Sequence, residues 1–162
     1  MTLSDRLQMT SMTDEELAGF AARTLEGYIR DRIEHGGEDP DLARESGETQ
    51  MGQLFPGGRP GEGSYVFNAC DESGAGVGVL WLYERKHAPA KSVFIYSVEV
   101  DESRRGQGWG RELMRYAERW AAERGAFEIA LNVFGANTVA RSLYTSMGYA
   151  ERAVVMFKPL TS

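Results

Sequence analysis

Apolar residues recur along this chain with two periods, and the switches between them predict its elements. Leu17, Phe20, Ala21, Leu25, Tyr28, Ile29 and Ile33 fall on one helical face. Thr13-Asp14-Glu15-Glu16 just before them has the form of a capping box, in which hydroxyl and carboxylate each satisfy the other's free backbone donor. Gly36-Gly37 ends that helix. Asp39-Pro40 opens a second, to about residue 54, with proline where a missing N–H costs nothing. A loop follows from Pro56 to Gly63, then strand-like runs at 64–71 and 76–85 around a turn at Glu72-Ser73-Gly74, and a third at 92–100. A helix over 108–124 buries Leu113, Met114, Ala117 and Trp120, and Gly125 stops it. A buried strand spans 127–134, a short helix 136–147 and a last strand 153–159, and 7–12 reads as a short first strand. The order is β-α-α-β-β-β-α-β-α-β. The strand–helix–strand crossover from 92 to 134 makes those two strands parallel.

Between the third strand-like run and its helix lies Arg104-Arg105-Gly106-Gln107-Gly108-Trp109-Gly110. Glycine at every second position removes the side chains that would keep a ligand from the backbone. The helix that follows aims its unpaired N–H groups and positive dipole end at the same spot. With Arg104, Arg105 and Arg111 beside it, this is an anion site suited to phosphate or diphosphate. A P-loop is excluded, since no Gly-Lys-Ser or Gly-Lys-Thr follows the glycines. The dinucleotide fingerprint would put its third glycine at Arg111. Glu128 falls near the place of its ribose-binding acid, yet too little chain follows Gly110 for the remaining strand and helix repeats. The third form, Arg/Gln-x-x-Gly-x-Gly/Ala, is met by Arg105, Gly108 and Gly110.

A second motif decides among these. Asn137-Thr138-Val139-Ala140-Arg141-Ser142-Leu143-Tyr144-Thr145-Ser146-Met147-Gly148-Tyr149 carries Asn, Ala three on, Leu-Tyr, then Gly and an aromatic. With the glycine segment at this spacing, the chain resembles the GNAT superfamily of acyl-CoA N-acyltransferases. The likeness is specific over residues 92–158 and rests on element order over 1–91. It implies an α/β (α+β) fold with a central mixed sheet of 6–7 strands flanked by about four helices, a single domain over 1–162.

The resemblance also implies chemistry. Acetyl-CoA would be the acyl donor and a primary amine of a small molecule or peptide the acceptor. The diphosphate would lie on Arg105, Gly106, Gln107, Gly108, Trp109, Gly110 and Arg111, and the pantetheine arm on the backbone of Val98, Glu99 and Val100. Asn137 would hold the arm, with Tyr144, two helical turns on, near the thioester sulfur. In relatives that acetylate ribosomal-protein N-termini a glutamate acts as base on the strand after the glycine helix; here that position is Asn132, which accepts no proton. Glu99 is then the foremost base, with Glu84, Asp101 and a water relayed through Tyr96 or Ser97 as alternatives. A CoA-binding regulatory module with lost turnover is the rival reading.

Composition narrows the setting. Hydrophobic residues at 42% and charged residues at 26% describe an ordinary globular chain. The first residues lack an apolar leader core, and no apolar run reaches membrane-spanning length. A lone Cys70 forms no intrachain disulfide, which points to a reducing cytoplasm; with only His35 and His87 beside it, no zinc site is expected. Net charge −6 argues against nucleic acid as partner, and a homodimer is allowed.

Overall fold

The computed structural model describes residues 6–87 and 90–160, without the His87 side chain. The chain start and the His87 ring, both used in the sequence reading, therefore lie outside the described residues. The order is β1 (Gln8–Ser11), α1 (Asp14–Glu34), α2 (Pro40–Leu54), β2 (Ser64–Cys70), β3 (Gly76–His87), β4 (Ala90–Val100), α3 (Trp109–Glu123), β5 (Ala126–Leu131) and α4 (Thr138–Ser146). The capping box forms: Thr13 N–H donates to Glu16 Oε2 at 2.8 Å, and Glu16 N–H donates to Thr13 Oγ1 at 3.3 Å.

The sheet runs β1-β2-β3-β4-β5, antiparallel except for the parallel pair β4–β5 that closes the crossover through α3. Alternation along β3 sorts its side chains to two cores. Leu80 and Leu82 join Val93, Ile95, Leu113, Met114, Ala117 and Trp120 beneath α3. Trp81 joins Leu17, Phe20, Phe55 and Val66 beneath α1 and α2. Helices thus cover both faces. Gly47 lets α1 and α2 approach, since an added Cβ would lie 3.0 Å from Ile29 Cγ1.

Two irregularities in β4 shape the site. Trp81 pairs with Ser97 but Leu82 with Ile95, so Tyr96 is an extra residue, a β-bulge. The parallel ladder with β5 ends at Ile95–Leu131, while β4 continues against β3 to Val100. Past the bulge, β4 keeps one partner and leaves its other edge open.

Two expectations need correction. The sheet has five strands among the described residues, where 6–7 were expected, because 153–159 is not a strand. That stretch is exposed and enters no ladder. The strand expected over 127–134 ends at Leu131, because its ladder partner β4 diverges there. Among the described residues no helix is long and apolar enough to cross a membrane.

Candidate active site

The glycine loop is built from its ends inward. A 3₁₀ turn at Glu102–Arg104 follows β4, and Gly106 and Gly108 then take left-handed φ of 71° and 86°. A Cβ at either would meet nothing within 4 Å, so it is the backbone conformation, and not crowding, that calls for glycine there. Gly108 is the N-cap of α3 and offers no side-chain cap. Among the described residues, the N–H groups of 106–111 donate to no protein acceptor. These are the orphan donors of a helix start, joined to those of the loop before it.

The side chains around the loop brace it. Trp109 is 3% exposed and anchors the first turn of α3, donating from Nε1 to Gln107 Oε1 at 3.4 Å. Gln107 in turn donates to the Ser103 carbonyl at 3.3 Å. Arg104, one of three arginines read as lining the anion site, is drawn away: its Nη2 meets Asp71 Oδ2 at 2.7 Å, and its guanidinium lies 5.2 Å from the Trp109 ring centre. Asp71 also accepts from Ser73 and from the Ala75 N–H, and the Ser73 hydroxyl and Arg104 hold its carboxyl well below the usual carboxylate range. Asp71 thus ties the β2–β3 turn to the glycine loop. Sequence reasoning missed this; the only signal was the turn Asp71-Glu72-Ser73-Gly74 itself.

Arg105 and Arg111 remain at the loop. Arg105 is exposed and donates from Nε to the Val100 carbonyl at 3.2 Å. Arg111 donates to Ser146 Oγ at 2.7 Å, binding the start of α3 to the end of α4. Gly110 lets the two helices close up, its virtual Cβ lying 3.4 Å from Leu143 Cδ2 and 3.9 Å from Val100 Cγ2. Loop, β4 end and α4 therefore meet at one place.

On β4, Val98 and Val100 pack their side chains against the α3 core, which leaves their backbone at the open edge. Glu99 is exposed between them and accepts from Ser97 Oγ at 3.0 Å. A Cβ at Gly78 would overlap the Glu99 carbonyl oxygen, so this glycine on β3 fixes where the β4 end lies. On α4, Asn137 is the N-cap and accepts from the Ala140 N–H at 3.3 Å, leaving its amide NH₂ without a partner among the described residues. Tyr144 is half-buried, its ring 5.9 Å from that of Tyr149. Burial pushes the hydroxyls of both tyrosines above their usual range, helped at Tyr149 by the nearby Glu118 carboxylate.

The remaining acids separate. Glu84 is buried against Arg124 at 3.8 Å, just beyond the far end of the 15-residue α3, roughly 22 Å from the glycine loop. Its carboxylate is thus committed to Arg124 and set apart from the glycine loop. Asp101 turns toward the β2–β3 side, where a Cβ at Gly76 would lie 3.4 Å from its Oδ2. Asn132 is exposed just past the end of β5.

A model of the Acetyltransferase (GNAT) family matches residues 28–149. This chain belongs to the GNAT acetyltransferase family. It is 33% identical to YdgE of Bacillus subtilis, an N-acetyltransferase by name, over 94% of this chain and 97% of that one. The crystal structure of the acetyltransferase YycN, also from B. subtilis, superposes with a TM-score of 0.88 at 26% identity, covering 96% of this chain and 99% of that one. AAC(6')-Iy, solved with the bisubstrate analog CoA-S-monomethyl-acetylneamine, shares the fold at a TM-score of 0.56 and 19% identity, over 96% and 99% of the two chains. As a GNAT acyltransferase, the chain carries its glycine loop, open β4 edge and α4 in the part that the family spans.

Proposed function

We propose that this acyltransferase moves the acetyl group of acetyl-CoA directly to a primary amine of a small molecule or peptide. One observation carries the reading: the β4–β5 ladder stops at Ile95–Leu131, so β4 presents a free edge that runs into a row of unpaired N–H donors. An edge followed by an anion cradle suits a ligand with a peptide-like arm and a diphosphate, which coenzyme A has. The coenzyme A analog bound by AAC(6')-Iy supports the same choice of donor.

In this reading the backbone of Val98, Glu99 and Val100 pairs with the pantetheine amides. The N–H groups of Gly106, Gln107, Gly108, Trp109, Gly110 and Arg111 hold the diphosphate, with Arg105 and Arg111 adding charge. The free amide of Asn137 steadies the arm. The acceptor nitrogen bonds to the acyl carbon as the carbon–sulfur bond breaks. The proton lost by the amine goes to Glu99, or to a water held by Glu99 and Ser97. Tyr144 donates a hydrogen bond to the departing sulfur. A thiol titrates near ~8.5 and Tyr144 lies above the ordinary tyrosine value of about 10, so full proton transfer is uphill. A hydrogen bond to the developing thiolate is therefore the larger contribution.

A second reading, a CoA-binding regulatory module without turnover, draws on Asn132, which puts an amide where related enzymes carry an acid. Calorimetry with acetyl-CoA, paired with thiol release across a panel of amines, separates the two. Binding with amine-dependent thiol release is the expected result. Binding without release from any amine would favour the module, and absence of binding would overturn both.

A further inference from the structure

The bulge in β4 stands at the level where the proposed transfer takes place. With the diphosphate on 106–111 and the arm paired to Val98–Val100, the arm runs back along β4, away from the glycine loop. Its thioester then arrives beside Ser97 and Tyr96, just past the last rung of the β4–β5 ladder at Ile95–Leu131. What the chain places there decides which amines fit. A bulge re-aims the side chain of its extra residue, and here that residue is Tyr96.

Tyr96 turns to the α1–α2 face of the sheet and packs against the cluster that holds Phe20, Phe55 and Trp81. Its ring stacks on Trp81, with centroids 4.7 Å apart and planes 29° from parallel. Tyr83 and Phe94 flank it at 5.8 and 5.0 Å. Trp81 is itself pinned, buried and donating from Nε1 to Ser64 Oγ at 2.6 Å. Tyr96 is only half-buried, and the ladder to β5 has ended, so its open part borders the gap between β4 and β5. On the β5 side, Phe134 lies 6.2 Å from the His35 ring at the end of α1. The acids around this region are already matched: Glu38 holds Arg32 at 2.8 Å, and Glu128 holds Arg152 at 2.6 Å. Glu99 is exposed, accepts from Ser97 and meets no cation among the described residues. A polycation needs several free carboxylates to replace its water. This gap offers aromatic surface beside Glu99.

We propose that Tyr96 selects the acceptor: the site takes a small monoamine bearing an aromatic ring, which lies against the open part of Tyr96 while its nitrogen meets the thioester beside Glu99. Contact between aromatic rings adds discrimination beyond the apolar area it buries. The stack on Trp81 orders the platform before a ligand arrives, so little side-chain freedom is lost on binding. The inference rests on the acetyl-transfer reading above and adds the class of acceptor.

Thiol release from acetyl-CoA with phenethylamine, hexylamine and cadaverine compares three primary amines that differ in what flanks the nitrogen. Phenethylamine should have the highest kcat/KM, about 10-fold above hexylamine and further above cadaverine. Tyr96→Leu should abolish that preference through a raised KM for phenethylamine, with acetyl-CoA affinity and cooperative melting retained. Tyr96→Phe keeps the ring without the hydroxyl and should keep both the preference and the rate, which a proton relay through Tyr96 would not. Calorimetry of phenethylamine with the CoA-loaded protein reads the same site without turnover, and the affinity should fall by a similar factor in Tyr96→Leu. If no amine releases thiol while that binding persists and depends on Tyr96, acetyl transfer falls and the aromatic site stands. Cadaverine preferred over phenethylamine by the parental protein, or a preference and an affinity unchanged in Tyr96→Leu, would overturn the proposal. Should Tyr96→Leu not fold, the parental amine ranking and Tyr96→Phe decide by the same criteria.

Discussion

Tyr144 is where burial and the proposed chemistry meet in one side chain. Its ring packs against the α3 core, which fixes its position and also raises its pKa. The hydroxyl therefore stays protonated throughout the range in which an acetyltransferase is assayed, so it contributes no descending limb below about pH 10. Tyr144→Phe keeps the packing and removes only the donor. Stability and acetyl-CoA binding should hold while single-turnover rate falls roughly 10- to 1,000-fold; an unchanged rate in rapid-quench measurements would make the tyrosine purely structural. Glu99 has the opposite surroundings, exposed and hydrogen-bonded by Ser97. Glu99→Gln preserves that hydrogen bond and removes the base. Turnover should fall most at neutral pH, where an amine acceptor is still protonated, and recover as pH rises and the amine arrives neutral. A pH–rate profile identical to the parent's would exclude this carboxylate as the proton acceptor.

Among the elements, α3 matters through its beginning more than its length. Its first N–H groups are free because Gly108, in left-handed conformation, caps the helix without a side chain. Valine there is strained by the φ of 86° and puts branched carbons at the proposed diphosphate site. Gly108→Val should weaken acetyl-CoA binding by about 2 kcal/mol or more, judged from the loss of several charge-assisted hydrogen bonds. Titration calorimetry on the folded variant checks this, and parental affinity would refute the cradle. β4 plays the complementary part. Its bulge at Tyr96 redirects the strand, and its divergence from β5 exposes the edge on which Val98, Glu99 and Val100 lie.

Across the whole molecule, the site depends on a link between segments far apart in sequence. Asp71 in the β2–β3 turn and Arg104 before the glycines form a half-buried pair, with side chains 19% and 21% exposed. Because the folded Asp71 titrates below its ordinary value of about 3.9, its contribution to stability is fully present above that pH. It is lost only as pH falls through the depressed folded value. Asp71→Asn should therefore lower the urea midpoint by a constant amount at neutral pH, and the gap to the parent should close in strong acid. A gap that persists unchanged into strong acid would assign the effect to packing. The same variant should loosen acetyl-CoA binding, since the loop loses its anchor.

The order of helices and strands, the capping box and the two motifs were legible in the sequence because each rests on local physics. Apolar period, free backbone donors and the backbone freedom of glycine are set by residues a few positions apart. The segment 106–111 and the pair Asn137 and Tyr144 stand out in the sequence for that reason. The departures all lie where the decision was made between distant segments. Arg104 reads as a phosphate ligand until Asp71, arriving from another turn, takes its charge. Glu84 reads as an unpaired acid until β3 carries it to Arg124 at the far end of α3. The end of β5 at Leu131 follows from a bulge in β4, which has no sequence mark because it is a mismatch between two strands. Residues 153–159 have the composition of a strand, but a strand exists only with a partner. Hydrophobic pattern sets which residues seek burial; tertiary structure alone decides which neighbour is there to bury them.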